Sequence, residues 1–197
     1  MRSAARVGLL ALASLLLWPS EGRAEWQIKP FLGVTFGGDT TFVDLDQVAG
    51  HPKIAFGVTN ALLGEVIGVE ADLGRVPGFF TGGHLVVNSS VTTLTGNVVL
   101  ALPRHRTRYT LRPYVVGGAG LMHVHIDDFL AVLPVASSLA ALDVGGGATG
   151  FLTDRIGVSW DVRYFRSIGG HDEGLAVSFG AEQLSFWRAN MALVIRY

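Results

Sequence analysis

The feature that most constrains this chain is an alternation of apolar and polar residues with a period of two. Ile156, Val158, Trp160, Val162 and Tyr164 alternate with Gly157, Ser159, Asp161 and Arg163. Trp26, Ile28, Leu32, Val34 and Phe36 alternate with Gln27, Lys29, Gly33 and Thr35. Ile67, Val69, Ala71 and Leu73 alternate with Gly68, Glu70 and Asp72, and Trp187, Met191, Leu193, Ile195 and Tyr197 with Arg188, Asn190 and Arg196. An extended chain points successive side chains to opposite faces. Each segment therefore carries one oily face and one polar or small face. A helix would show a period of about 3.6. No uninterrupted apolar run of about 18 residues follows Ala24, so no membrane-spanning helix is expected.

Eight such segments can be drawn, at 26–37, 52–62, 65–75, 91–102, 112–125, 142–152, 156–166 and 184–197. Their connections alternate in length. The short ones are Leu63-Gly64, Pro103 to Leu111, and Thr153 to Arg155; the long ones are 38–51, 76–90, 126–141 and 167–183. Short turns at one end and long loops at the other mark a transmembrane β-barrel. The expected fold is all-β: an eight-stranded antiparallel up-and-down barrel. An even strand number places both termini at the short-turn side, the periplasmic side of such a barrel.

A soluble sandwich or lipocalin-like barrel has the same period but turns its oily face inward. Aromatic placement separates the two. Trp26, Tyr114 and Tyr197 fall on the oily face at one end of their strands, and Phe36, Tyr164 and Trp187 at the other. Two girdles at the bilayer interfaces produce that pattern. Composition agrees: 49% of residues are hydrophobic and 16% charged, against roughly 25% charged in an ordinary soluble domain. The net charge of −1 leaves no basic excess for nucleic acid. With no Cys there is no disulfide framework, thiol catalysis or Cys-ligated metal.

The N-terminal stretch reads as an address. Arg2 and Arg6 precede an apolar run from Val7 to Trp18, then Pro19, then Gly22-Arg23-Ala24. That order is a secretory signal peptide over residues 1–24, cleaved after Ala24. Residues 25–197 form the expected barrel domain.

Three segments carry a family resemblance. Phe151 to Tyr164 (FLTDRIGVSWDVRY) is similar to a strand–turn–strand of the small outer-membrane β-barrels of the OmpA/OmpX-like superfamily, also described as a porin-family barrel domain. Arg112 to Gly120 (RPYVVGGAG) resembles their central strand, and Phe186 to Tyr197 their last. The resemblance implies a location in the bacterial outer membrane, in contact with its lipid and lipopolysaccharide. It implies that Trp187, Met191, Leu193, Ile195 and Tyr197 form the signal read by the barrel-assembly machinery. It also implies a structural, adhesive or envelope-integrity role through the long loops, with the extracellular ligand left unnamed.

Eight strands leave an interior just wide enough to be filled by side chains. Parity turns inward Lys29, Glu70, Asp72, Thr93, Thr95, Asn97, His123, His125, Asp161, Arg163, Arg188, Asn190 and Arg196. Charges away from water must be paired. A network built on Lys29, Glu70, Asp72, Asp161, Arg163 and Arg188 is therefore expected to plug the lumen. The alternative is a narrow channel or small-ligand transporter. Gly117, Gly118 and Gly120, with Gly145, Gly146 and Gly147, suit a tightly curved barrel.

Candidate chemistry is sparse. His123 and His125 share one strand face, where a metal would still need further ligands from Asp127, His84 or His171. They read as lumen or rim polar residues, and no metal or cofactor is expected. Barrel deacylases of lipid A resemble one another in a His-x-Ser pair on one strand. Here the second position is His125, and Ser137 and Ser138 read as part of an apolar loop. No catalytic residue is therefore expected, and a lipid A-modifying enzyme stays an alternative. The discriminating observation is a Ser or Thr hydroxyl pointing at either imidazole on the outer face.

The loops divide by charge. Asp39, Asp44, Asp46, Asp127, Asp128, Asp172 and Glu173 suggest divalent cations beside lipopolysaccharide phosphates. Arg104, His105, Arg106, Arg108 and Arg112 suggest anionic inner-leaflet lipid or the cell wall. Solvated charge at loop ends is the plainer reading of both. The apolar stretches 78–87 and 129–142 read as partner-binding loops, as a taller hairpin, or as a fold over the barrel mouth.

Overall fold

The computed structural model describes residues 24–40, 52–79, 86–103, 111–128, 135–168 and 184–197. Their alternation becomes eight strands: β1 (Glu25–Thr40), β2 (Lys53–Leu63), β3 (Ile67–Pro77), β4 (Val86–Ala101), β5 (Leu111–Asp128), β6 (Val135–Phe151), β7 (Ile156–Ile168) and β8 (Leu184–Arg196). Each pairs antiparallel with its chain neighbours, and β1 pairs with β8 to close the barrel. Closure removes the edges that an open sheet would leave unpaired. The seam is fastened at the turn end. Tyr197 N donates to Trp26 O at 3.0 Å, and Arg196 Nη1 meets Glu25 Oε1 at 3.0 Å. A bulge interrupts the same seam between Phe36 and Asp39, and Gly37 takes its left-handed conformation at φ 59°.

Polarity is inverted relative to a protein folded in water. Leu32, Ile54 and Met191 are 67%, 66% and 64% exposed, whereas Arg163 and Arg188 are each 1% exposed. β3 shows the rule: Ile67, Val69 and Leu73 face out, while Gly68, Glu70, Asp72 and Gly74 face in. An apolar outer wall of this extent suits hydrocarbon, not water.

The interior is layered. Toward the long-loop end, Val76, Phe79, Val91, Met122, Leu139, Phe165 and Phe186 pack together. Phe165 and Phe186 stack at 5.2 Å between ring centres, and Phe79 meets Phe186 edge-on at 5.2 Å. Toward the turn end, Ala61, Leu63, Val99, Ala101, Tyr114 and Val116 form a second cluster. The charged residues lie between the two.

Some strands run further than the alternation indicates. β4 starts at Val86, β5 continues to Asp128 and β6 starts at Val135. Residues 86–87 and 135–142 are therefore strand, not loop, because β4 pairs with β5 as far as Val86 and Asp128, and β5 with β6 as far as Ile126 and Val135. Ser137 and Ser138 lie in that paired stretch. Residues 1–23, expected to form a signal peptide, residues 80–85 and 129–134 of the two apolar stretches, and Asp44, Asp46, His84, Arg104, His105, Arg106, Arg108, His171, Asp172 and Glu173 fall outside the described residues.

Candidate functional site

Two polar arrangements stand out, one inside the barrel and one on its outer wall. Inside, Arg163 on β7 bonds Glu70 Oε1 of β3 through Nη1 at 2.5 Å and Asp161 Oδ1 through Nε at 3.0 Å. Arg188 on β8 donates from Nη2 to Asp72 Oδ1 at 2.6 Å and from Nη1 to Thr93 Oγ1 at 3.3 Å. The carboxylates have further donors. Asn97 Nδ2 reaches Glu70 at 3.1 Å, Thr59 Oγ1 reaches Asp72 at 2.8 Å, and Asn190 Nδ2 reaches Asp161 at 2.9 Å. Residues from β2, β3, β4, β7 and β8 are thus tied across the lumen. Charge-assisted bonds of this kind are roughly twice as strong as neutral ones.

The guanidinium of Arg188 also lies between two rings, 4.7 Å from the centre of Phe31 and 4.6 Å from that of Phe165. Lys29 Nζ sits 5.3 Å above the ring of Tyr114. Attraction to the ring quadrupole adds to the stabilisation of these buried cations. All six residues expected in a lumen network, Lys29, Glu70, Asp72, Asp161, Arg163 and Arg188, are buried in the interior.

The sequence reading missed Asp143 on β6, the fourth interior carboxylate, whose Oδ2 is 3.8 Å from Arg163 Nη1. Its signal was its parity: it lies two residues from the inward Gly145. That glycine and Gly147 have a definite use. Across β6 and β7 they pair with Arg163 and Asp161. A Cβ on Gly145 would fall 2.8 Å from Arg163 Cγ, and one on Gly147 2.6 Å from Asp161 Cβ. The absent side chains make room for the network.

The faces of β5 are the main correction. Tyr114 was expected in an outer girdle, but it points inward and donates its hydroxyl proton to Asp161 Oδ2 at 2.9 Å. Arg112, expected in a basic patch facing lipid, turns in as well. It donates to the carbonyls of Leu102, Gly64 and Glu65 at 3.1, 2.8 and 2.7 Å. With even-numbered residues inward, His123 and His125 cannot line the lumen, and both face out. The physical reason is that β5 is apolar on both sides: Val115 and Leu121 outside, Val116, Met122 and Val124 inside. Alternation alone does not orient such a strand, and a one-residue slip reverses every side chain. Arg196, also expected inside, lies at the turn end, partly exposed.

On the outer wall, Phe36, Trp187 and Tyr164 lie side by side across β1, β8 and β7, with Tyr164 and Trp187 ring centres 5.0 Å apart. Trp26 and Tyr197 face out at the turn end. Met191 and Leu193 face out along β8, with Ile195 half-buried.

The second arrangement runs across β3 to β6 near the long-loop end. Arg75 pairs with Thr92, Thr92 with His123, and His123 with Ser138, all facing outward. His123 Nδ1 and Ser138 Oγ are 3.0 Å apart, both residues exposed. The next outward row, toward the turn end, is Leu73, Leu94, Leu121 and Ala140. No group of three or more metal-binding side chains occurs among the described residues.

With this geometry the chain is similar to Neisserial surface protein A: TM-score 0.64 at 8% identity, over 88% of this chain and 97% of that one. The fold is that of the small outer-membrane β-barrels. OprG from Pseudomonas aeruginosa is similar at TM-score 0.57 and 14% identity, over 89% of this chain and 97% of that one. Ail, the attachment invasion locus protein of Yersinia pestis, is similar at 0.51 and 12%, over 87% and 99%. No family model matches the chain, and no curated protein matches it in sequence.

Proposed function

We propose that this barrel is an outer-membrane protein with a closed interior, exported by a signal peptide cleaved after Ala24. It serves as an adhesive or envelope-stabilising surface through its long loops. The observation that carries the closed interior is the central layer. Arg163 and Arg188, 1% exposed, are each held by carboxylates from across the lumen, with apolar clusters on either side. Eight strands leave room for side chains, whereas aqueous porins use about sixteen. The adhesive part is supported by the likeness to Ail, the attachment invasion locus protein, whose structure holds the heparin analogue sucrose octasulfate.

Planar-bilayer recording tests the closed interior. The expected result is no discrete conductance step, and reproducible steps would favour the narrow channel or small-ligand transporter. Attachment of cells expressing the protein to immobilised host matrix tests the loops. N-terminal sequencing of the membrane form checks for Glu25 as first residue. The same reading takes lipopolysaccharide as the surrounding lipid and the barrel-assembly machinery as the partner that reads β8.

A further inference from the structure

We propose that Ser138 and His123 form a nucleophile–base pair on the outer wall that cleaves an acyl ester of a phosphate-bearing membrane lipid. The inference rests on the membrane placement proposed above. The sequence reading kept hydrolysis only as an alternative, because His125 stands where a His-x-Ser pair needs its serine and because Ser137 and Ser138 read as loop. The place of Ser138 in β6, directly across from His123, answers both points.

A serine hydroxyl is a weak nucleophile until a base takes its proton. His123 Nδ1 is 3.0 Å from Ser138 Oγ, inside the reach required of a general base. The pair sits at a boundary of the outer wall. The row Leu73, Leu94, Leu121 and Ala140 faces hydrocarbon, and the adjacent row Arg75, Thr92, His123 and Ser138 is polar. Lipid esters lie at such a boundary, between acyl chain and head group. Polar residues on a lipid face are tolerated near the interface and costly at mid-depth.

Arg75 supplies the second recognition element. It is exposed, and no ion pair among the described residues involves it. A guanidinium matches a phosphate in geometry and charge. Arg75 stands three strand spacings from Ser138, about 14 Å at about 4.8 Å each. A phosphorylated lipid head group spans that order of length.

The chemistry balances with water as co-reactant. Ser138 Oγ attacks the ester carbonyl carbon while its proton passes to His123 Nδ1. The bond from the acyl carbon to the lipid oxygen breaks, and that oxygen takes the proton from His123. Water then gives a proton to His123 and attacks the acyl-serine, releasing a fatty acid. The proton returns to Ser138 Oγ.

The test uses the full mature chain in two kinds of vesicle: diacyl phosphatidylglycerol in one arm, lipopolysaccharide in the other. Free fatty acid is read by mass spectrometry. Release in either arm supports the proposal, and the arm names the source of the phosphate-bearing ester. Ser138→Ala and Ser138→Thr, with His123→Gln, are checked for unchanged heat-modified gel migration. Ser138→Ala and His123→Gln are expected to lower release by on the order of 10²-fold. A fluorophosphonate probe is expected to label wild type and not Ser138→Ala. Arg75→Gln is expected to raise KM several-fold with kcat unchanged. Absence of release in both arms overturns the proposal, as does a Ser138→Ala protein as active as wild type. Insertion into the vesicles is read in the same samples by protease protection and heat-modified migration, so an inserted but inactive protein overturns this proposal, whereas failure to insert overturns the membrane placement.

Discussion

Inside the barrel, Arg163 meets Glu70 and Asp161, and Arg188 meets Asp72 between two aromatic rings. On the outer wall of the same sheet, Arg75 faces out with no ion partner among the described residues, in a row that ends in His123 and Ser138. Both sets are polar, yet their surroundings divide their roles. The enclosed set is bonded mainly to itself, as buried charges require, although Glu70 Oε2, Arg188 Nε and both carboxylate oxygens of Asp143 have no hydrogen-bond partner. The outer set faces away from the barrel, with His123 and Ser138 bonded to each other and Arg75 in no ion pair among the described residues. A polar group that the fold needs is consumed by the fold, whereas one left open is available to a ligand.

The largest expected effect breaks the inner set. Arg163→Ala would leave Glu70 and Asp161 buried without their cation, a loss of about 3–5 kcal/mol. It is measured as a lower heat transition on unboiled gels, and an unchanged transition would remove the network from the account of stability. Tyr114→Phe comes next. It deletes one bond to an ionised Asp161 and is expected to cost about 1.5–3 kcal/mol in the same assay. Gly145→Ala sharpens the comparison from the packing side. The added methyl meets Arg163 Cγ and the Val162 carbonyl, at a cost of about 1–3 kcal/mol. The smallest effect belongs to the outer set. Arg75→Gln is expected to shift stability by less than about 0.5 kcal/mol, because it touches nothing the fold depends on. A large shift there would show that the outer row is part of the framework after all.

Legibility in the sequence followed the clarity of the alternation. β3 and β7 each place charge on one face and aliphatic or aromatic bulk on the other, so their orientation was readable residue by residue. β5 has apolar residues on both faces, and its reading came out reversed at Arg112, Tyr114, His123 and His125. Asp143 was missed in β6, whose glycines dilute the pattern that would have pointed inward. The outer row was illegible for a different reason. Its members come from four strands, and Ser138 lies in a stretch whose serines and nearby Pro134 look like a loop.

By itself the sequence determined that this chain is a small barrel with an inverted surface. Period-two alternation, eight segments, and short and long connections in turn are local properties that a linear pattern can carry. The interior positions of Glu70, Asp72, Arg163 and Arg188 followed from the same local rule. Only the tertiary structure decided which face of β5 looks inward and which side chains meet. Inward Tyr114 finds Asp161 47 residues away, and inward Arg112 caps the carbonyls of Gly64 and Glu65. Once those long-range bonds set the parity of β5, His123 had to face out, and pairing with β6 brought it to Ser138.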